Sequence, residues 1–368
     1  MGIKSTLGKN LTGLLSLNNT SNIGVTADNV LPILASGGVG ITTTGHDGKA
    51  TQYHVFTEPG HFRLGSVAVG TGKTFTVLMV GGGGAGGGAY YAGGGGAGEV
   101  VYGADVEFPL SEGYDYKVEI GAGAMAVRGE QSTSYDSGTN GQDTRFYPTI
   151  NYTESRLNGK SVGIVTTYQS NVGLGSTGVM AMGGGGGGSY SGAEYMYGNS
   201  GGSGGGSSYY ITPAIYPARY AKSGVNADLR GYNEQYVYYG NSSDPGGNFG
   251  HGAGGAGAVG SDADGGAGKS FQDFGHRYIL PAIPTPISDS FVTALGPTSL
   301  YGGGGGGSAY GSPDYGVGGA GGGGNGGDPS MDGIPGTDYT GGGGGGAQLA
   351  PQSSGAGGKG IVIIKYII

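Results

Sequence analysis

Unbroken glycine runs decide what this chain can fold into: Gly81 to Gly84, Gly93 to Gly96, Gly183 to Gly188, Gly302 to Gly307 and Gly341 to Gly346. A run of six offers no side chain to bury, so neither an amphipathic helix nor an ordinary strand accounts for it, and glycine loses the most conformational entropy on ordering. Gly and Pro together near about 30% without a strict period is also the composition of low-complexity chains. A left-handed extended helix of the polyproline II type, with three residues per turn and a rise of about 3.1 Å, can order such runs. Glycine backbones of that shape approach closely on all sides, with N–H and C=O groups pairing outward and Cα–H···O contacts between them. The expectation is a lattice held by backbone, with Gly185, Gly304 and Gly344 inside it.

Three residues per turn puts positions i, i+3 and i+6 on one face. From Gly252 to Gly260, Ala253, Ala256 and Val259 share one face and Gly254, Gly257 and Gly260 a second; Asn325 and Asp328 repeat the offset with polar residues. Ala85 and Ala89, or Ser203 and Ser207, stand four apart, so the register is not uniform, and there is no continuous Gly-X-Y repeat.

The formal net charge of −8 with 17 Lys plus Arg speaks against nucleic acid as a partner. No apolar stretch approaches the roughly 18 residues of a membrane-spanning helix, so no membrane insertion is expected. The first residues, with Lys4 and a polar-interrupted Leu11 to Leu17, do not read as a secretory signal, and assembly in a cytoplasm is expected. With no cysteine, disulfides and thiolate metal sites are excluded. No tryptophan and nine Phe leave a thin conventional core, against which 27 Tyr are a surplus that points to covering glycine helices or facing a partner.

Residues 1–50 lack glycine runs and read as a separate attachment arm with a turn at Gly45 to Gly48. Its apolar residues Leu11, Leu14, Leu15, Leu17, Val30, Leu31, Ile33 and Leu34 are candidates for contact with another subunit or protein. Residues 51–368 read as one domain. Thr74-Phe75-Thr76-Val77 and Tyr116-Lys117-Val118-Glu119-Ile120 alternate as half-buried strands do. Ile361 to Tyr366 reads as a strand buried on both faces that returns to pair with the first ones. Insertions at 143–182, 189–245 and 269–301 are expected to leave the lattice as loops. The expected fold is mainly β, a strand-rich glycine domain with packed polyglycine II helices and very little α-helix.

Four stretches carry a resemblance: His54 to Gly60, Thr76 to Val80 running into Gly81 to Gly88, Glu99-Val100-Val101 after Gly93 to Gly98, and Tyr116 to Gly123. With the closing Gly357 to Tyr366, they resemble the glycine-rich domain family found in bacteriophage tail-fibre and other virion proteins, over about residues 52–368. The chain is similar to distal tail-fibre adhesins in which packed polyglycine II helices carry receptor-binding loops. The resemblance implies a virion protein, a tail fibre or adhesin, with other virion proteins and a host surface glycan or protein as partners and a homo-oligomeric assembly. A capsid decoration or head-fibre protein uses the same fold. A bacterial extracellular matrix or appendage subunit fits less well without a signal peptide.

Chemical motifs are weak. Gly72-Lys73-Thr74 ends like a phosphate-binding loop, but Val67 stands where its first glycine is required and a strand pattern follows. Gly323 to Asp328 matches part of one calcium nonapeptide with Ser330 at its apolar position, and Asp262 and Asp264 lack the later ligands of a calcium loop. His54 and His61 flank a Pro-Gly turn, without a catalytic arrangement. No metal, cofactor or enzymatic activity is expected. Between Ser189 and Tyr239 stand eleven tyrosines among Ser, Gly and Asn, the composition of recognition loops. Tyr195, Tyr197, Tyr209, Tyr210, Tyr232, Tyr236, Tyr238 and Tyr239 are the receptor-binding candidates; the alternative is that these rings cap the lattice or form a subunit interface.

Overall fold

Alternation in the strand segments produces two antiparallel sheets facing each other. The computed structural model describes residues 35–64, 74–88, 90–106, 115–129, 137–149, 179–190, 197–208, 236–243, 250–308, 315–349 and 351–368. In chain order the strands are β1 (Ala35–Ser36), β2 (Val39–Thr44), β3 (Ala50–Phe56), β4 (Gly60–Leu64), β5 (Phe75–Val80), β6 (Val100–Val106) and β7 (Asp115–Glu119). They continue with β8 (Thr144–Thr149), β9 (Val179–Ala181), β10 (Tyr236–Tyr239), β11 (Lys269–Ser270), β12 (Leu300–Tyr301) and β13 (Ile361–Ile367). One sheet runs β10-β6-β5-β13-β3-β2, the other β1-β4-β7-β8-β9, and β11 pairs with β12. The closing strand β13 does return to the start of the domain, lying between β3 and β5 with Ile363 opposite both Val55 and Leu78.

Because the middle of the larger sheet is buried on both sides, its residues split between two cores. Phe75, Val77, Met79, Val362, Ile364 and Tyr366 face Phe62, Tyr116, Val118 and Phe146 of the smaller sheet. Leu78, Val80, Ile361 and Ile363 face the other way, onto a cover built from residues 269–301. Each such side chain contributes about 1.5–3 kcal/mol, and this sandwich is the conventional core of the protein.

The cover departs from expectation, since 269–301 does not leave the body as a loop. It holds a 3₁₀ turn, Gln272–Phe274, the short helix α1 (His276–Ile279), a second 3₁₀ turn, Leu280–Ala282, and the helix α2 (Thr285–Leu295). Pro286 sits in the first turn of α2, Phe291 and Leu295 four apart face the sheet, and Gly296 ends the helix at φ +57°. Tyr53 donates its hydroxyl to the carbonyl of Asp273 at 3.0 Å, and Lys365 reaches the Asp273 carboxylate at 2.7 Å, fixing cover to sheet.

The expected boundary at residue 50 falls inside a hairpin. β2 pairs with β3 along its whole length across the Gly45–Gly48 turn, and β1 pairs with β4, so residues 35–50 belong to the two sheets. Leu11, Leu14, Leu15, Leu17, Val30, Leu31, Ile33 and Leu34 lie outside the described residues.

Between and beyond the strands, the glycine segments bond to one another with a register that repeats every third residue. Gly81, Gly84 and Gly87 donate to the carbonyls of Glu99, Gly96 and Gly93; Gly82 and Ala85 donate to Gln142 and Thr139; Gly83 and Gly86 donate to Gly358 and Gly355. Segment 93–98 is the centre. It donates to 185–188, 251–254 and 341–344, and accepts from 84–87, 203–206 and Gly305, so six segments surround it. Gly93 through Ala97 each have both amide and carbonyl paired, which meets the requirement that buried backbone be satisfied without a β-ladder. Side chains are excluded by geometry: a Cβ on Gly94, Gly95 or Gly96 would fall against the carbonyl of Gly305, Gly84 or Ser203.

The threefold face read along 252–260 holds for Ala253 and Ala256, both buried, and breaks at Val259, which is 57% exposed. Gly257 and Ala258 both donate to Ala267 there, and Gly255 donates to Ala258, so the chain bends out of register.

Candidate functional site

The sheets occupy one end of the glycine segments. Gly81 follows β5, Gly98 and Glu99 lead into β6, Gly302 follows β12 and Gly360 leads into β13. At the opposite end the segments finish in one layer. Gly93 donates to Gly188, Gly188 to Gly206, His251 to Ser207, Gly250 to Ser308, Ser308 to Ala92, and Ala347 to Gly87. The described segments thus end on this face at Gly88, Tyr190, Ser208, Ser308 and Leu349, and another begins there at Gly250.

At the centre of that face stands the turn joining 81–88 to 92–98, carrying Tyr90 and Tyr91. Tyr190 donates its amide to the carbonyl of Tyr90 at 3.3 Å, and the rings of Tyr91 and Tyr190 meet edge to face, 6.3 Å between centroids. Tyr190 is 43% exposed and Tyr90 and Tyr91 are half-buried. Tyr91 holds φ +52°. The next layer is polar. Ser308 shares its hydroxyl between the carbonyls of Ala347 at 2.8 Å and Ala92 at 3.3 Å, whereas the buried hydroxyls of Ser189 and Ser208 and the buried amide of Gln348 have no hydrogen-bond partner among the described residues.

The receptor-binding candidates fare differently. Tyr236 is a core residue, 5% exposed, on the face of β10 turned to the smaller sheet, where burial pushes its phenol pKa up. Tyr238 packs on the same core, and Tyr239 on the other, edge-on to Phe271 at 5.7 Å with Lys269 5.0 Å from its ring centroid. The physical reason is pairing: β10 continues the larger sheet along β6, so its side chains alternate between the two faces, and the three tyrosines pack on cores while Val237 stays exposed. Tyr197 is half-buried, and Tyr195, Tyr209, Tyr210 and Tyr232 lie outside the described residues. Sequence reasoning passed over Tyr90 and Tyr91; two tyrosines between glycine runs are the signal of a lattice turn.

Gly185, Gly304 and Gly344 are buried, and a Cβ on them would strike the carbonyls of Asn199, Ala253 and Gly355. Asp264 accepts from the amide of Val317 at 2.7 Å. Hydrogen bonds from the Ser330 amide and hydroxyl hold the Asp328 carboxyl below its usual range. A strand, β5, follows Thr74 where a phosphate loop needs a helix. Among the described residues no group of three or more His, Asp and Glu gathers to hold a metal ion, and no helix is long and apolar enough to cross a membrane.

A mainly antiparallel β core that anchors a backbone-bonded glycine body defines the class. The chain belongs to the glycine-rich domain family, whose model matches residues 57–367. No curated protein sequence matches it.

Proposed function

We propose that this chain is a bacteriophage virion protein, a tail fibre or adhesin, that recognises the host surface, and that its glycine segments are packed polyglycine II helices. The threefold hydrogen-bond register supports the second part. One observation carries the first: the described glycine segments end together on one face, at Gly88, Tyr190, Ser208, Ser308 and Leu349, while Ala35 lies in the sheets at the opposite end. A body of that form holds a recognition face away from its attachment end, and loops on a rigid scaffold are where binding residues concentrate. Its partners are then other virion proteins, reached through Leu11, Leu14, Leu15, Leu17, Val30, Leu31, Ile33 and Leu34, and a glycan or protein of the host.

The test is to label purified virions with antibody to this chain for electron microscopy, and to ask whether the free protein blocks adsorption. Label at fibre ends with competition supports the reading; label on the capsid, or none, overturns it. Deleting residues 1–34, which spares β1 and β2, is expected to leave a folded body that no longer joins the particle.

A further inference from the structure

We propose that Tyr90, Tyr91 and Tyr190 form a binding platform for a neutral saccharide, a pyranose ring laid on the tyrosine faces at the end of the lattice. This rests on the adhesin reading for its biology and names the ligand class.

The backbone makes the first case. The turn at the head of the central segment needs a residue at φ +52°, a conformation that costs a residue with a Cβ about 1–2 kcal/mol. In a chain of 94 glycines, with Gly88 and Gly93 close by, that place is held by tyrosine. Strain of this kind persists where the side chain is needed. Rigidity makes the second. Tyr90 and Tyr91 stand in the turn leading into the segment enclosed by six neighbours, and Tyr190 is tied to them by the Tyr90 carbonyl and by its ring contact with Tyr91. Tyrosine offers a large contact area at low entropy cost, and a fixed one offers more.

Charge selects the ligand. The central segment and its neighbours carry no Asp, Glu, Lys or Arg over 81–98, 183–190, 198–208, 250–260, 302–308 and 341–349. Around them stand Asp262 and Asp264, in the turn whose carbonyls take the amides of Gly252 and Gly307, and Asp328, next to Gly327, which donates to Gly346. Among the described residues, Arg128, on the Pro351 carbonyl, is the cation of that rim. Among the described residues the centre is neutral and its border acidic, which disfavours phosphorylated or uronic polymers and leaves hydroxyl-rich neutral sugars. Next to Tyr190, the buried hydroxyl of Ser189 has no hydrogen-bond partner among the described residues.

The experiment is an array of neutral and anionic bacterial-type oligosaccharides probed with the full chain, followed by calorimetric titration of the neutral glycans retained. Tyr91→Gly removes the ring and relieves the strain, so it is expected to melt no lower than the parent and bind about tenfold more weakly or worse. Tyr91→Phe keeps binding within a few-fold. Retention of anionic glycans alone, no glycan retained, or parental affinity in Tyr91→Gly overturns the platform. Virions that carry the chain at fibre ends yet adsorb through a protease-sensitive, periodate-resistant receptor overturn it too, while upholding the adhesin reading. Neutral-glycan binding lost in Tyr91→Gly, by a chain absent from virions, does the reverse.

Discussion

Gly95 donates its amide to the carbonyl of Gly344 at 2.8 Å, and the carbonyl of Gly95 itself lies where a Cβ on Gly343 would fall. Each segment is thus both bonded to its neighbour and sized by it. Gly304→Leu and Gly344→Leu, whose side chains would start against the carbonyls of Ala253 and Gly355, are expected to cost more than the about 1–3 kcal/mol of ordinary overpacking, because segments must separate and lose hydrogen bonds. Gly48→Ala is the control. It has nothing within 4 Å of its Cβ but sits at φ +78°, so only about 1–2 kcal/mol of backbone strain applies. Thermal melts rank them; a Gly304→Leu protein as stable as Gly48→Ala contradicts the close approach.

Tyr236 and Tyr190 separate burial from recognition. Tyr236→Ala empties a core site and is expected to cost about 3–5 kcal/mol, as large aromatic truncations do. Tyr190→Ala, at a half-open face, is expected to change stability by no more than about 1 kcal/mol. Denaturant midpoints of the two variants decide it, and equal losses would place Tyr190 in the core as well.

Much of the β architecture was legible. Period-2 patterns marked β5 and β7, and the apolar run Ile361 to Tyr366 announced a strand buried on both faces. The tyrosines of β10 were misleading because Ser, Gly and Asn around them suit a loop, while their fate depends on β6, more than a hundred residues earlier. α2 was hidden by its Thr, Ser and Pro content, although Ile287, Phe291 and Leu295 at four-residue spacing carry the helical signal. Within the glycine body, Ala85, Ala97 and Ala253 are fully buried, so a Cβ is tolerated at some lattice positions, and sequence does not tell which. The platform was not legible: Tyr190 was one of eleven clustered tyrosines and not among the receptor-binding candidates, and its meeting with Tyr91 is a consequence of the fold.

His54 gives the sandwich a pH dependence. Its Nδ1 is 2.8 Å from the carbonyl of Gly37, its ring stacks on Tyr366 and meets Phe62 edge-on, and burial lowers its pKa from 6.5. The unfolded chain therefore takes up this proton more readily than the folded one. Stability from this group is complete above about pH 6.5 and declines as pH falls toward the lower folded value. Urea midpoints measured from pH 7.5 down to pH 5 should fall, and His54→Phe should flatten that part of the curve. An unchanged slope in the variant assigns the dependence elsewhere.

Where the lattice ends sideways, side chains stand in for a missing neighbour. Gly183 and Gly186, three apart, donate their amides to the carboxylate of Asp143 and the side-chain carbonyl of Asn140, both at 3.0 Å, while Gly184 and Gly187 between and after them donate to backbone. The two side chains repeat the threefold spacing of the backbone acceptors they replace. Asp143→Ala and Asn140→Ala each remove one acceptor from a part-buried amide, with an expected cost of about 1–3 kcal/mol, the Asp143 change at the upper end because its acceptor is charged. Hydrogen exchange reads this locally: protection should drop at Gly183 in Asp143→Ala and at Gly186 in Asn140→Ala, with the amides of Gly184 and Gly187 unaffected. Loss of protection spread evenly over 183–188 would mean that the side chains hold the whole segment in place rather than closing single hydrogen bonds at its edge.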